Sequence, residues 1–143
     1  MPRAAHTLAL AACLAVAAAP SAWAAGLTVT VEGVRDDRGD LRIALFDRPE
    51  TFGETGKQRT RLVLPAAPGE VTAVFADVAP GTYAVTVYHD ADRNGELNRA
   101  LGLLPSEGWG VSNSAGPLSR PRWETASFSV PEAGATVRIR LHY

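Results

Sequence analysis

The chain has almost no cysteine, because Cys13 is the only one among 143 residues. A single cysteine allows no disulfide within the chain and no cysteine cluster for zinc, so neither can hold this fold together. An excess of charge of one sign is also missing, since 14 lysines and arginines stand against 15 aspartates and glutamates. Without a basic excess, a nucleic-acid partner is not expected. A stable fold must therefore come from an apolar core.

Long apolar runs are scarce as well. The clearest one, Leu8 to Ala19, is too short to span a bilayer, which takes about 20 residues, so no membrane span is expected. Arg3 precedes this run and Ala22-Trp23-Ala24 follows it, which is the pattern of a secretory signal peptide with an A-x-A cleavage site. We therefore expect residues 1–24 to be a signal peptide, cleaved after Ala24, and residues 25–143 to form one secreted or periplasmic domain.

Cys13 allows a second interpretation, since Leu10-Ala11-Ala12-Cys13 matches the short motif that precedes the lipidated cysteine of bacterial lipoproteins. Cleavage there would leave only about six apolar residues in a region that usually has roughly 7 to 15, and the site at Ala24 would go unused. The sequence therefore favours cleavage after Ala24 over lipidation. The expected mature chain has no cysteine and, without Arg3, a net charge of −2 from 13 basic and 15 acidic residues.

Alternation of apolar and polar residues dominates the mature chain, which is typical of half-buried β-strands. Two weaker strands are expected at Thr60 to Leu64 and near Ala126 to Val130. About seven short strands in one domain predict an all-β fold, an antiparallel β-sandwich of the immunoglobulin-like or prealbumin-like kind. The clearest alternating runs are Leu27/Val29/Val31, Leu41/Ile43/Leu45, Val71/Ala73/Phe75, Tyr83/Val85/Val87 and Val137/Ile139/Leu141.

Two connections stand out between these strands. Leu27 to Asp47 is expected to form the first hairpin, with Gly39 at the positive φ that its turn needs. Asn98 to Thr125 is a long loop rich in glycine, proline and serine. Trp109 and Trp123 indicate that this loop is ordered, because disordered segments rarely keep such large apolar groups.

The strand that ends at Asp90 leads into a turn rich in oxygen ligands. Counted from Asp90, the alternate positions of a calcium loop hold aspartate or asparagine, and a glycine follows where the backbone must turn. Leu101 stands where an EF-hand has its bidentate glutamate, so the missing ligand is expected from Glu107. The candidate metal ligands are Asp90, Asp92, Asn94, the carbonyl of Glu96, Asn98 and Glu107.

The same residues also fit a turn that needs no ion. Asp90, Asp92 and Asn94 would then accept hydrogen bonds from nearby backbone amides, and Gly95 would adopt a left-handed conformation. The sequence leaves both interpretations open. If a metal binds, calcium is favoured, because the candidate ligands are oxygens and only His89 offers the nitrogen that zinc prefers.

His89 lies on the apolar face of its strand, which places it at the inner rim of the sandwich. As a general base beside Asp90 or Glu107 it would make the protein a small hydrolase. However, the mature chain has no cysteine and no G-x-S-x-G elbow. A rim histidine that is hydrogen-bonded to the long loop is favoured, and no enzymatic activity is expected.

Four aromatic residues, Phe52, Tyr88, Trp109 and Trp123, could lie together at the loop end of the sandwich. They would either present a surface for a sugar, a lipid or a peptide, or cap the open end of the sandwich. The cap is favoured, because an ordered loop needs buried anchors. His89, Trp109 and Trp123 remain candidates for contacts at the loop surface.

Four stretches together resemble domain-of-unknown-function family 2141, a group of exported bacterial proteins. They are Phe75 to Val85 with its P-G-T-Y-A strand start, the pair His89-Asp90, Asn94 to Leu97, and Gly102 to Asn113. The resemblance extends from about Gly26 to His142 and implies a transthyretin-like sandwich without an assigned activity. Family members usually have aspartate where this chain has Asn98, which implies a cation site weaker by one negative charge.

The sequence thus predicts an exported β-sandwich that serves as a binding or interaction module, with a structural calcium ion as a possible component. Its partner would be an unknown protein or small ligand of the bacterial envelope. The alternatives are the small hydrolase and a purely structural envelope protein. The sequence does not determine the partner or the oligomeric state.

Overall fold

A computed structural model describes residues 25–113 and 121–143, so the expected signal peptide, Cys13 and part of the long loop lie outside the described residues. The described chain forms short strands, one turn of α-helix and one 3-10 helix (Pro49–Thr51), and none of its helices is long and apolar enough to cross a membrane. The elements are β1 (Ala25–Val34), β2 (Asp40–Phe46), β3 (Thr60–Pro65), β4 (Gly69–Val78), β5 (Gly81–Asp90), β6 (Arg99–Ala100), β7 (Leu104–Pro105), β8 (Trp109–Val111), α1 (Trp123–Ala126), β9 (Phe128–Val130) and β10 (Ala135–Arg140).

The strands form two main sheets. One has the order β10-β1-β4, and the other has the order β3-β2-β5, with β8 and β9 both paired to β5. The short strands β6 and β7 pair with each other and form a separate hairpin. The predicted all-β sandwich is confirmed.

The core lies between the two main sheets. Leu27, Val29 and Val31 of β1 are completely buried, and so are Leu41, Ile43 and Leu45 of β2 on the other sheet. These side chains belong to one apolar cluster, to which β4, β5 and β10 also contribute. Burial of one such side chain stabilises a fold by about 1.5 to 3 kcal/mol. Strands of period two therefore supply the core that the lack of disulfides requires.

The predicted first hairpin is wrong. β1 and β2 do not pair, because β1 lies between β10 and β4 in one sheet and β2 lies between β3 and β5 in the other. The Arg35–Gly39 connection therefore carries the chain across the sandwich. Gly39 does have a positive φ of 69°, as expected. Alternation defines the buried face of each strand but not its neighbour, and for that reason the parallel pairing of β1 with β10 was not predicted either.

The segment predicted as one long loop contains β6, β7, β8 and most of α1. β8 pairs with the middle of β5, where Trp109 lies opposite Tyr88 and Val111 opposite Thr86. Trp109 also forms an isolated bridge with His142 after β10. The segment is thus tied to both sheets, and Glu107 is placed directly before β8.

Candidate functional site

The side chain of Asp90 ends β5 on the outer face of its sheet, yet it is completely buried. It is covered because the following residues fold back over β2 and β5. The Tyr88 hydroxyl donates to the carbonyl oxygen of Gly95 at 2.7 Å, and Arg42 Nε donates to Asp90 Oδ2 at 2.5 Å. We call residues 90–98 the Asp90 turn.

Backbone amides of the turn converge on the Asp90 carboxylate. The N–H of Asn94 donates to Oδ1 at 3.0 Å, and the N–H of Gly95 donates to Oδ2 at 2.9 Å. The Asn94 side-chain oxygen in turn accepts the N–H of Glu96 at 2.8 Å. Gly95 has a φ of 84°, the left-handed conformation in which glycine has no steric cost. These contacts form the predicted Asx turn.

Glu107 folds back onto the turn from its place before β8. Its Oε1 accepts the N–H of Ala91 at 2.9 Å, and its Oε2 accepts the N–H of Asn98 at 3.0 Å. The residue is only 8% exposed. One carboxylate thus joins both ends of the turn, although it is distant from them in sequence.

Three carboxylates meet at this place: one oxygen each from Asp90, Asp92 and Glu107 lie within 4.8 Å of one another. We call these residues the carboxylate cluster. Two ligands on opposite sides of a calcium ion lie about 4.6 to 5.2 Å apart, so a common centre for the three oxygens is compatible with calcium. Among the described residues, Arg42 is the one cation paired with the cluster, which leaves two negative charges in excess. The arrangement could therefore hold a divalent cation.

The other predicted ligands lie at the edge of the cluster. The side-chain amides of Asn94 and Asn98 donate to Asp92 Oδ2 at 3.1 and 2.9 Å. The amide of Asn98 is the main reason why the pKa of Asp92 is lowered from its ordinary value of 3.8, and the backbone N–H of Asn94 adds to the effect. The side chain of Glu96 is exposed and is not part of the cluster.

Arg42 is the site residue that sequence reasoning missed. Alternation assigns it to the polar face of β2, where an arginine is ordinarily only solvated. The register between β2 and β5 decides its role, because it places Asp40 opposite Asp90 and Arg42 opposite Tyr88. The hydrogen bond to Asp90 also raises the pKa of Arg42, so the guanidinium stays charged. The role of Arg42 could be recognised only from the pairing of β2 with β5, because no sequence motif links Arg42 to Asp90.

His89 points into the sandwich and is 1% exposed. Its Nε2 lies 2.6 Å from the carbonyl oxygen of Arg38, which can only accept, so Nε2 carries the proton. Its Nδ1 lies 2.8 Å from the hydroxyl of Tyr143, which then donates. The backbone N–H of His89 donates to the carbonyl of Gly108, in the segment after the turn, at 2.7 Å. Both ring nitrogens are thus engaged, next to a cavity of about 50 Å³.

The two tryptophans lie in a second apolar cluster against the outside of β5. Trp109 and Trp123 pack there with the buried residues Ala84, Val111 and Ala126. Phe52 joins this cluster, with its ring centre 5.9 Å from that of Trp123. The cluster covers a sheet face, so its aromatic side chains serve as packing.

Comparison with known proteins identifies a family match. The model of a family described as "Uncharacterized protein conserved in bacteria (DUF2141)" matches residues 29–138, which include β2 to β9 and the whole Asp90 turn. No curated protein and no solved structure matches the chain.

Proposed function

The chain belongs to the bacterial family DUF2141, and from its sandwich and its Asp90 turn we propose that it is an exported binding module whose loop end is ordered by a structural calcium ion. The loop end comprises residues 90–107. Export to the periplasm or the medium follows from the signal-peptide pattern of residues 1–24. The partner would be a molecule of the bacterial envelope.

The single observation that carries the calcium proposal is the position of Glu107. Its carboxylate is buried and, among the described residues, has backbone N–H groups but no basic side chain as partners. It also lies beside Asp90 and Asp92, so like charges are close together. Burying a charge costs free energy unless an opposite charge compensates it. A divalent cation in the carboxylate cluster would supply that charge.

Calcium fits this site better than zinc or magnesium. The side-chain candidates are oxygens, and the one nearby imidazole, His89, has both nitrogens engaged. Calcium accepts six to eight oxygens in flexible geometry, whereas magnesium requires a near-ideal octahedron. Asp90, Asp92 and Glu107 would supply the carboxylate ligands. Asn94 and Asn98 now turn their amide nitrogens toward Asp92, so they would join the shell only after rotating their side-chain oxygens toward the ion, beside the carbonyl of Glu96.

Thermal unfolding of the exported protein tests this proposal. Excess calcium should raise the melting temperature above its value in EDTA, because an ion at 100 times its Kd stabilises the folded state by about 2.7 kcal/mol. Asp92→Asn should remove most of this increase, measured against the variant's own melt in EDTA, because the substitution at this exposed position also disturbs the hydrogen bonds that Asp92 accepts from Asn94 and Asn98. Asp77→Asn replaces another exposed aspartate, on β4, and should keep the full response.

A turn without an ion is the second candidate. It is favoured by one specific observation: each of the six oxygens in the carboxylate cluster accepts a hydrogen bond from the protein. In that case the wild-type melts in EDTA and in calcium would coincide. This result would leave the turn as the only support of the loop end.

A hydrolase has less support. His89 is enclosed, and its Nε2 lies 3.8 Å from an oxygen of Asp36, beyond the reach of a hydrogen bond. No contact among the described residues specifically favours a purely structural envelope protein. The binding module therefore remains the proposal that the described residues support best.

A further inference from the structure

The hairpin of β6 and β7 presents leucines to solvent. Leu101, Leu103 and Leu104 are 96, 76 and 64% exposed, the highest values among the exposed large apolar residues of the described chain. The hairpin pairs with neither main sheet, and the space around Gly102 is open. We call residues 99–105 the leucine hairpin. Its apolar side chains thus contribute little to the core.

The backbone of the hairpin is not optimal for a leucine at its tip. The N–H of Leu103 donates to the carbonyl of Ala100 at 3.1 Å, which closes a β-turn with Leu101 and Gly102 at its centre. The pairing of Ala100 with Leu104 leaves three residues in the loop. Both turn residues have positive φ, 53° for Leu101 and 70° for Gly102. Glycine or asparagine is preferred at positive φ, because glycine has no Cβ to collide with the backbone and the short polar side chain of asparagine can hydrogen-bond locally, whereas leucine has neither advantage. Leu101 therefore costs stability in the free protein, which indicates that its exposed side chain serves an interaction.

We propose that the leucine hairpin inserts into the surface of a phospholipid bilayer. The proposal deepens the proposed function and rests on it in one respect, namely that the loop end meets the partner. It names a lipid surface as that partner. The net charge of the chain does not drive this contact, which depends on the hairpin.

Charge complementarity favours a lipid surface. Arg99 is the only charged residue between Leu97 and Ser106, and among the described residues its guanidinium has no ion-pair partner. An arginine at the base of an apolar tip would contact lipid phosphates while the leucines lie deeper, which is the arrangement of side chains that anchor at an interface. An acidic residue in the hairpin would have opposed this contact.

The backbone of the hairpin also suits a region poor in water. The turn is closed by the Leu103 hydrogen bond, and the N–H of Ser106 donates to the carbonyl of Asn98 at 2.8 Å. Backbone groups that are paired within the hairpin do not need water when the tip enters the headgroup region. The leucines of the tip are mostly exposed and the space around Gly102 is open, so a deformable lipid layer can reach them.

The carboxylate cluster supports the base of this hairpin. Glu107 holds the N–H of Asn98, the residue before β6, and so ties the hairpin to the Asp90 turn. Without a cation the cluster carries two excess negative charges beside Arg42, which would repel an anionic bilayer. Calcium would cancel this excess and should strengthen binding to anionic lipids.

Co-sedimentation with vesicles tests the proposal. The vesicles contain phosphatidylcholine alone or phosphatidylcholine with phosphatidylglycerol, and binding is measured in EDTA and in excess calcium. The exported protein should bind, and Leu101→Asn should weaken its partition constant by roughly tenfold or more, a change of about 1.4 kcal/mol per factor of ten. This substitution gives the turn a preferred residue, so the variant should melt at or above the wild-type temperature. A loss of binding then cannot come from misfolding.

Matched variants complete the experiment. Val74→Thr removes another exposed apolar side chain, 57% exposed on β4, and should leave binding unchanged. Arg99→Gln should weaken binding to the anionic vesicles more than binding to phosphatidylcholine alone. These variants carry the same N-terminus as the wild type, so a lipid anchor on Cys13 would not produce differences among them.

Three outcomes would overturn the proposal: no binding to either vesicle, binding that Leu101→Asn leaves unchanged, or self-association without lipid that Leu101→Asn abolishes. The last would assign the hairpin to a second copy of the chain. The lipid proposal and the calcium proposal can fail independently of each other. Leucine-dependent binding that is equal in EDTA and in calcium supports the lipid surface without the ion, and a calcium-raised melt without vesicle binding supports the ion alone.

Discussion

Asp90 is completely buried at a position where alternation points its side chain away from the core, and hydrogen bonds replace the water it loses. Arg42 supplies the opposite charge, and two backbone N–H groups also donate to the carboxylate, one to each oxygen. Glu107 also accepts two backbone N–H groups, but among the described residues no basic side chain is paired with it. At the scale of single residues, the loop end therefore combines one satisfied carboxylate with a second that lacks a cation.

Asn98→Asp tests how this electrostatic balance is set. The pKa of Asp92 lies below 3.8 chiefly because Asn98 donates to it, so this carboxylate stabilises the fold above that pH, and the contribution is lost as the pH falls through the lowered pKa. Loss of the amide and gain of a charge should raise the pKa of Asp92 in EDTA and lower the melting temperature. Calcium should then stabilise the variant more than the wild type, because the site gains a carboxylate.

NMR titration of the Asp92 carboxyl and melts in both buffers provide the measurements. Asn113→Asp is the control, since it adds the same charge and loses one amide hydrogen bond outside the turn. An unchanged pKa of Asp92 in Asn98→Asp would refute the role given to the Asn98 amide.

At the scale of elements, the connection from β1 to β2 determines how the site is built. It crosses from one sheet to the other and packs against the end of β5. A Cβ at Gly39 would lie 1.9 Å from the carbonyl oxygen of Asp90, so only glycine permits this approach. The carbonyl of Arg38 in the same connection accepts the His89 ring. The connection therefore contacts both the backbone of Asp90 and the ring of His89 and helps to position these two residues.

Gly39→Ala should destabilise the protein by roughly 3 kcal/mol or more, because the new methyl group collides with backbone that cannot move independently. Gly53→Ala is the matched control, with a φ of 78° and no atom within 4 Å of the added Cβ. It should cost only the left-handed strain, about 1 to 2 kcal/mol. Urea unfolding measures both, and equal losses would show that the packing at Asp90 is unimportant.

At the scale of the whole molecule, stability must come from burial. The cluster between the sheets contains residues of β1, β2, β4, β5 and β10, and the second cluster covers the outside of β5. The ion pairs of Arg138 with Glu32 and Glu70 lie on the surface, where such pairs contribute about 0 to 1 kcal/mol each. Packing of two apolar faces therefore dominates, as expected for a chain whose single cysteine allows no internal disulfide.

The proposed export predicts where the chain is cleaved. Protein recovered from the periplasm of a bacterial host should have an intact mass that corresponds to a chain beginning at Ala25, and its melting temperature should be insensitive to reductant, because no cysteine remains. Ala24→Arg should prevent this processing and yield the longer precursor. A wild-type product that begins at a lipidated Cys13 would contradict the assignment.

The sequence by itself determined the fold class and the turn. Period-two alternation places one apolar face on each strand whatever its neighbour is, and the Asx turn arises from contacts between residues at most five apart, such as Gly95 with Asp90. Only the tertiary structure decided the pairings that complete the site. Arg42 reaches Asp90 through the β2–β5 register, and Glu107 reaches the turn because β8 pairs with β5. The exposure of Leu101 was also a tertiary result, because local sequence does not specify whether a neighbouring element covers an apolar residue.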